Sequence, residues 1–270
     1  MTPRAWAQCL LASFGPSAEP VAAEQEQTVP LSRARSDTVA ASSWRLVTRA
    51  SGVLKELAED PSQLRRWGAV LAHAIRRPRH AMYWFNASLH RQSPLDLGLP
   101  WLSLRCVDFL DEFLRPGMAV FEYGGGGSTL YFARKRCRVV TVEGYRRWSR
   151  LIRARLDEAL GDGAAAVEIR EIAGADDGEP PQEEYVKQVH HGGPWDLILV
   201  DGAHRLACLK AARDELRPNG VLLLDNADLE GYREVPKLLP DFERSSFTGL
   251  GVGRRWITQT DMYRRQSPAR

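Results

Sequence analysis

Four times along this 270-residue chain, a short apolar run stops at a carboxylate. Met118 to Phe121 leads into Glu122, Val139 to Val142 into Glu143, Leu197 to Val200 into Asp201, and Val221 to Leu224 into Asp225. Runs this short, with no polar alternation, read as strands buried on both faces. That confines them to a mostly parallel sheet with helices on either side. A fifth stretch, Val167 to Ile172, alternates, with Val167, Ile169 and Ile172 apolar. Helical patterns fall between the runs. Trp148, Leu151, Ile152 and Leu156 share one face; Leu206, Leu209 and Leu216 share another, and Pro218-Asn219-Gly220 turns into the next strand. Alternating strands and helices imply right-handed crossovers and a doubly wound α/β sheet. Near the end, Phe242 to Phe247 and Trp256 to Tyr263 flank the glycine-rich stretch Gly249 to Gly253, which reads as an antiparallel hairpin on one sheet edge.

The chain before about residue 98 is different. Gly15 to Ser43 is rich in Ala, Glu, Gln, Ser and Pro and cannot bury enough apolar surface to offset chain entropy, so residues 1–43 are expected to be a loose segment. Residues 44–97 read as a helical extension or lid, and 98–270 as the main domain. Within the extension, Asp60 reads as an N-cap with Pro61 in the first turn. Leu64, Trp67, Leu71, Ala74 and Ile75 then recur at helical spacing, and Pro78 ends the helix. That face packs on the main domain or on a second copy of the chain, which makes a homodimer through these helices the partner to look for.

Charge and cysteines narrow the class. With 37 Lys and Arg against 34 Asp and Glu, the net charge is +3. That excess is too small to imply a nucleic-acid partner without a concentrated patch, and the clusters Arg76, Arg77, Arg79 and Arg264, Arg265 read as solvated faces. Cys9, Cys106, Cys137 and Cys208 form no C-x-x-C pair, so a zinc cluster is not expected, and reduced thiols in a cytoplasmic protein are. No apolar run approaches the ~18–20 residues of a membrane span. Ala5 to Phe14 is short for a signal segment and broken by Gln8.

The strongest local signal is Glu122-Tyr123-Gly124-Gly125-Gly126-Gly127-Ser128-Thr129, between a buried strand and the next helix. Consecutive glycines let the backbone approach a ligand with no Cβ in the way. In an open α/β sheet that place, beyond the carboxyl end of a strand, is where ligands bind. A dinucleotide would want G-x-G-x-x-G, but counting from Gly124 the third position is Thr129. A carboxylate at the strand tip also suits a cationic amino-acid ligand better than a pyrophosphate. An ammonium can bind Glu122 directly or through water. Glu143, closing the next strand, can accept both hydroxyls of a ribose.

Phe121 to Thr129 resembles the first motif of the class I S-adenosylmethionine (SAM)-dependent methyltransferases, and Val139 to Glu143 resembles their acidic second motif. Asp196 to Gly202 and Gly220 to Asn226 look like their fourth and fifth strands. The resemblance covers roughly residues 98 to 264. It implies a seven-stranded Rossmann-like sheet with a reversed final hairpin and SAM as cofactor. It also implies that Glu122, Gly124, Gly126 and Ser128 hold the methionine end and Glu143 the ribose. Tyr123 and Gly125 of the same loop are further cofactor-binding candidates, and Ile172, at the end of the third strand, is the candidate beside the adenine.

Methyl transfer from a sulfonium is an in-line displacement, so the acceptor must be aligned and a hydroxyl acceptor deprotonated. The candidate catalytic residues are Asp201, His204 and Arg205, with Asp201 also beside the cofactor. Two mechanisms stay open. Asp201, Asp225 and Asn226 could hold Mg²⁺ through oxygen, lowering the pKa of the acceptor hydroxyl. Their order is similar to that of the catechol and caffeoyl-CoA type O-methyltransferases. Alternatively His204 is the general base, its pKa being near working pH, with Asp201 or Asp225 orienting it. Tyr185, His190, His191 and Trp101 are further candidates for the pocket wall. The function expected is methyl transfer to a small molecule, through a hydroxyl of a sugar or secondary metabolite. An NAD-dependent oxidoreductase and a non-catalytic SAM-binding module are the alternatives.

Overall fold

The computed structural model describes residues 61–89, 92–254 and 256–266. The loose segment expected over 1–43, the N-cap Asp60 and Cys9 lie outside them. Seven strands form one sheet: β1 (Ala119–Tyr123), β2 (Arg138–Glu143), β3 (Val167–Glu171), β4 (Trp195–Val200), β5 (Leu216–Asp225), β6 (Phe242–Gly249) and β7 (Thr258–Arg265). Their order is β3-β2-β1-β4-β5-β7-β6. β1 to β5 pair in parallel, and β7 is antiparallel to both β5 and β6. The chain leaves β1 toward β3, then returns to lay β4 against the other side of β1. The β1/β4 boundary is therefore the switch point at which an open sheet presents a crevice.

Strand alternation divides the core into two layers. On one face Val120, Val139, Leu197, Leu199, Val221 and Leu223 pack under α1 (Pro61–Arg76), α2 (Pro78–Leu89) and α4 (Leu104–Phe113), with the short α3 (Pro94–Leu97) beyond them. On the other, Phe121, Tyr123, Val140, Ile198, Val200 and Leu224 pack against Tyr185 of α7 (Gln182–Val186) and Cys208, Leu209 and Ala212 of α8 (Arg205–Ala212). The apolar runs are continuous because both faces of each central strand are covered. Leu130 of α5 (Gly127–Arg134) meets Ile152 and Leu156 of α6 (Arg146–Leu160) in a third, smaller cluster. A last single turn, α9 (Val235–Leu238), precedes β6.

Two helix readings change. Leu216 is the first residue of β5 and not part of the α8 face. α8 ends at Ala212, and Trp195↔Leu216 and Leu197↔Val221 pair across a register shift that Pro218-Asn219-Gly220 absorbs, Asn219 standing at φ +68°. Pro78 ends the first helix but also starts a second, α2, in the position that suits proline. α1 divides its apolar residues: Trp67 and Ala74 pack against the core, whereas Leu64, Leu71 and Ile75 are exposed. Cys106, Cys137 and Cys208 are buried and unbridged. No helix among the described residues is long and apolar enough to cross a membrane.

Candidate active site

The loop after β1 is shaped by what touches it. Gly124 has φ +86°, and a Cβ there would lie 2.7 Å from the Cα of Gly202 in the loop after β4. Only two facing glycines let these loops meet across the switch point. Gly125 N–H donates to Glu143 Oε2 (3.1 Å), and the indole of Trp148 donates to the Gly125 carbonyl (2.8 Å), which ties the loop to the end of β2. The other Glu143 oxygen accepts from Tyr145 N–H (2.9 Å). A carboxylate has about four acceptor positions, and backbone N–H groups of Gly125, Gly144 and Tyr145 draw on three, so Glu143 keeps capacity for a ligand donor. Burial raises its pKa.

Glu122 plays a different part from the one expected. It is fully buried and accepts hydrogen bonds from the hydroxyls of Ser128 (2.6 Å) and Thr129 (2.5 Å). Thr129 Oγ1 in turn accepts from Gly126 N–H (2.9 Å). Glu122 thus braces the glycine turn from behind, and burial pushes its carboxyl up to about 7. Tyr123 points into the opposite core layer, its hydroxyl donating to the Val186 carbonyl (2.5 Å). Ile172 packs in that same layer. None of Glu122, Tyr123 and Ile172 lines the crevice: alternation along β1 sends Glu122 and Tyr123 to opposite faces of the sheet, and Ile172, just beyond β3, packs against the core.

The crevice itself is a cavity of about 1170 Å³ at the carboxyl ends of β1, β2, β4 and β5. Gly124 to Ser128 form its floor; Glu143, Gly144, Tyr145 and Trp148 line one end. Trp101, Asp201, Arg205, Asn226 and Arg254 line the other, with Tyr185 and Gly202 between. The structure therefore brings together Trp101, Gly124, Gly125, Gly126, Ser128, Glu143, Tyr185, Asp201, Arg205 and Asn226 of the residues singled out in the sequence.

Arg205 ties the tips of β4 and β5 together. One terminal nitrogen donates to Asp201 Oδ1 (2.8 Å) and to the Asp201 carbonyl (2.7 Å). The other reaches the Asp225 carbonyl (2.7 Å) and Asn226 Oδ1 (3.2 Å), and Nε donates to the Gly202 carbonyl (3.1 Å). Asp225 is buried, with one oxygen accepting from Thr260 Oγ1 (2.9 Å) and the other 3.5 Å from Arg254. Burial and the nearby Asp225 carboxylate together push Asp201 up to about 8, against the pull of Arg205.

Two expectations change here. Mg²⁺ would need the oxygens of Asp201, Asp225 and Asn226, but the Arg205 and Arg254 guanidiniums already face all three side chains. This donor set does not fit a divalent cation, since two fixed positive charges stand where the ion would be. No cluster of three or more His, Cys, Asp or Glu side chains with metal-binding placement exists among the described residues. His204 begins α8 at φ +50° and turns away from the cavity, its Nε2 donating to the Pro180 carbonyl (2.7 Å) and its Nδ1 3.6 Å from Glu179. That ring holds the 179–181 loop. His190 pairs with Glu215 (2.7 Å) and, like His191, lies off the crevice.

The sequence reading missed Tyr145, Trp148 and Arg254 as wall residues. Trp148 was assigned wholly to a helix face, although an indole N–H at the first turn of a helix beside a glycine loop needs an acceptor. Arg254 reaches the site from the β6–β7 connection, and no local pattern marks it.

No protein-family model matches the chain, and no curated protein matches its sequence. Solved structures do. A putative O-methyltransferase from Klebsiella pneumoniae superposes with a TM-score of 0.52 at 15% identity, covering 75% of this chain and 100% of that one. The O-methyltransferase TomG from Streptomyces achromogenes, involved in tomaymycin synthesis and solved with SAM, superposes with a TM-score of 0.50 at 20% identity. It covers 64% of this chain and 85% of that one. The seven-stranded order, the reversed final hairpin and these likenesses agree: the chain has the fold of the class I SAM-dependent methyltransferases.

Proposed function

We propose that this protein transfers a methyl group from SAM to a hydroxyl of a small molecule, a sugar or secondary metabolite in the broad reading. The observation that carries the proposal is the cavity at the switch point, with a side-chain-free floor at Gly124 to Gly126 and a carboxylate with remaining acceptor capacity, Glu143, at one end. Its volume exceeds what a cofactor of this size alone fills, leaving room for an acceptor. When bound, SAM supplies an electrophilic methyl on a sulfonium.

The residues divide the remaining work. Glu143 takes the ribose hydroxyls, and Tyr145 and Trp148 wall that end. Gly124, Gly125 and Gly126 offer their backbone to the methionine portion, with Ser128 at its edge and Glu122 holding the turn. Asp201 takes the proton of the acceptor hydroxyl, its raised pKa lying where a general base works well. Arg205 fixes the Asp201 carboxylate in place. Three buried thiols support a reducing compartment, the cytoplasm. The exposed face of α1 and α2 supports a second copy of the chain as partner.

Thermal shift tests the cofactor. S-adenosylhomocysteine (SAH) is expected to raise the melting temperature, and NAD to leave it unchanged. Glu143→Ala is expected to weaken SAH binding by about tenfold or more, the loss of hydrogen bonds to a charged acceptor. Calorimetry that finds the variant binding SAH as tightly as the native protein would remove Glu143 from the ribose site.

A further inference from the structure

At the end of the cavity away from Glu143 lies a guanidinium that the methyl-transfer chemistry leaves unexplained. Arg254 sits over the ring of Trp101, 4.7 Å from guanidinium carbon to ring centroid, and both line the cavity. Its hydrogen bonding is thin. One terminal nitrogen stands 3.5 Å from Asp225 Oδ2 and 3.4 Å from Asn226 Oδ1, at the outer limit for such bonds. Nε is buried with no partner. Arg205 of α8, which shares Asn226 Oδ1 with Arg254, has every guanidinium nitrogen engaged.

Arg254 is not a loose surface side chain. Its carbonyl accepts from the indole of Trp84 on α2 (2.7 Å). In the same connection Leu250 O accepts from Leu104 N–H (2.7 Å), and Gly251 bridges to Ser103. The N-terminal helices therefore hold a half-satisfied cation against an aromatic wall. A buried donor without a partner is unfavourable, and a ligand oxygen at this guanidinium would supply one.

The charge balance points the same way. Two guanidiniums face two carboxylates, Asp201 and Asp225. Burial and mutual repulsion make that carboxylate pair hold a proton more readily than free carboxylates, which tilts the cluster toward positive charge. A carboxylate brings one negative charge and two coplanar acceptors that suit a planar guanidinium. A phosphate monoester brings about two charges at pH 7.

We propose that Arg254, backed by Trp101, binds a carboxylate carried by the methyl acceptor, so that the acceptors are hydroxylated carboxylic acids and not neutral sugars. This rests on the methyltransferase reading above. The test uses the full chain loaded with SAH, titrated with benzoate, benzamide or inorganic phosphate. Binding is read by calorimetry and by the arginine Nε–H resonances in NMR. Benzoate is expected to bind saturably and to shift one arginine resonance that is missing from the Arg254→Lys spectrum; benzamide and phosphate are expected to bind more weakly. Arg254→Gln is expected to weaken benzoate by about tenfold or more while SAH affinity changes by less than about twofold. Benzamide or phosphate binding as tightly as benzoate, no benzoate binding, or an unchanged benzoate affinity in Arg254→Gln would each overturn the proposal. A native protein that fails to bind SAH at all would instead sink the methyltransferase reading, so the two failures are distinguishable.

Discussion

Asp201 shows how much of a side chain's chemistry comes from its neighbours. In sequence it is one of four carboxylates that end apolar runs. In the structure the four are unlike: Glu122 braces a turn, Glu143 and Asp201 face the cavity, and Asp225 is buried between Thr260 and Arg254. For Asp201 the raised pKa has a direct kinetic sign. A general base works unprotonated, so turnover of an acceptor is expected to rise with pH through a range well above that of a free carboxylate, because burial and Asp225 push the Asp201 pKa up. Asp201→Asn keeps the backbone carbonyl that Arg205 also holds, and so keeps much of the clamp. It is expected to lower kcat by about a hundredfold or more and to flatten that rise, with SAH affinity little changed. A variant with native kcat and an unaltered pH profile would show that another group takes the proton. At this scale the sequence picked out Glu143 and the glycines that line the cavity, because each sits at the end of an apolar run or in the turn that follows one. It could not reveal Arg254 or the true job of His204. Those depend on which way a loop faces after the chain has folded back on itself.

Elements were easier to read than residues, for a physical reason. Burial on both faces forces continuous apolar runs, so each central strand and its carboxylate tip shows in the composition of four or five residues. Reading failed where two patterns overlap. Leu216 continues the helical spacing of Leu206 and Leu209, yet it pairs with Trp195 in the sheet, and the bulge at Pro218-Asn219-Gly220 hides the join. Pairing of the loops after β1 and β4 is equally invisible locally, although Gly124 and Gly202 both supply the space for it. A Cβ at Gly202 would lie 2.1 Å from the Tyr185 hydroxyl and 2.8 Å from Gly124 N. Tyr185 is buried against Tyr123, with centroids 5.4 Å apart, and cannot swing aside. Gly202→Ala is therefore expected to destabilise the protein by about 1–3 kcal/mol and to weaken SAH binding by displacing the glycine turn. Adding Tyr185→Phe, which removes the nearest clashing atom, is expected to recover part of both. Gly231→Ala, with nothing within 4 Å of the new methyl, serves as the neutral comparison. Equal melting temperatures for Gly202→Ala and Gly231→Ala would show that the two loops are not in close contact.

For the whole molecule, the open question concerns the side that the sheet does not use. α1 sends Trp67, Val70 and Ala74 inward, which leaves Leu64, Leu71 and Ile75 on its outer side, and Met82 and Tyr83 of α2 are exposed as well. The periodicity that predicted a helix could not say which of its apolar residues meet the core, since both sets recur at helical spacing. Ile75 is 73% and Leu64 60% exposed. Single exposed apolar residues are ordinary, but several along one helix and its neighbour are the usual mark of a partner. A second copy is the simplest one, because a two-fold axis lets the same stripe cover itself. None of the stripe's residues lines the crevice, and pairing through them would also steady α2, whose Trp84 holds the backbone of Arg254. Sedimentation of the full chain is expected to give a dimer. The double substitution Leu71→Glu with Ile75→Glu is expected to give a monomer with unchanged SAH affinity, because two carboxylates would face two others across the axis. Acceptor binding is expected to weaken in that monomer if the dimer steadies Arg254 through α2. A native chain that sediments as a monomer at about a hundred times its working concentration would mean that this face serves no second copy.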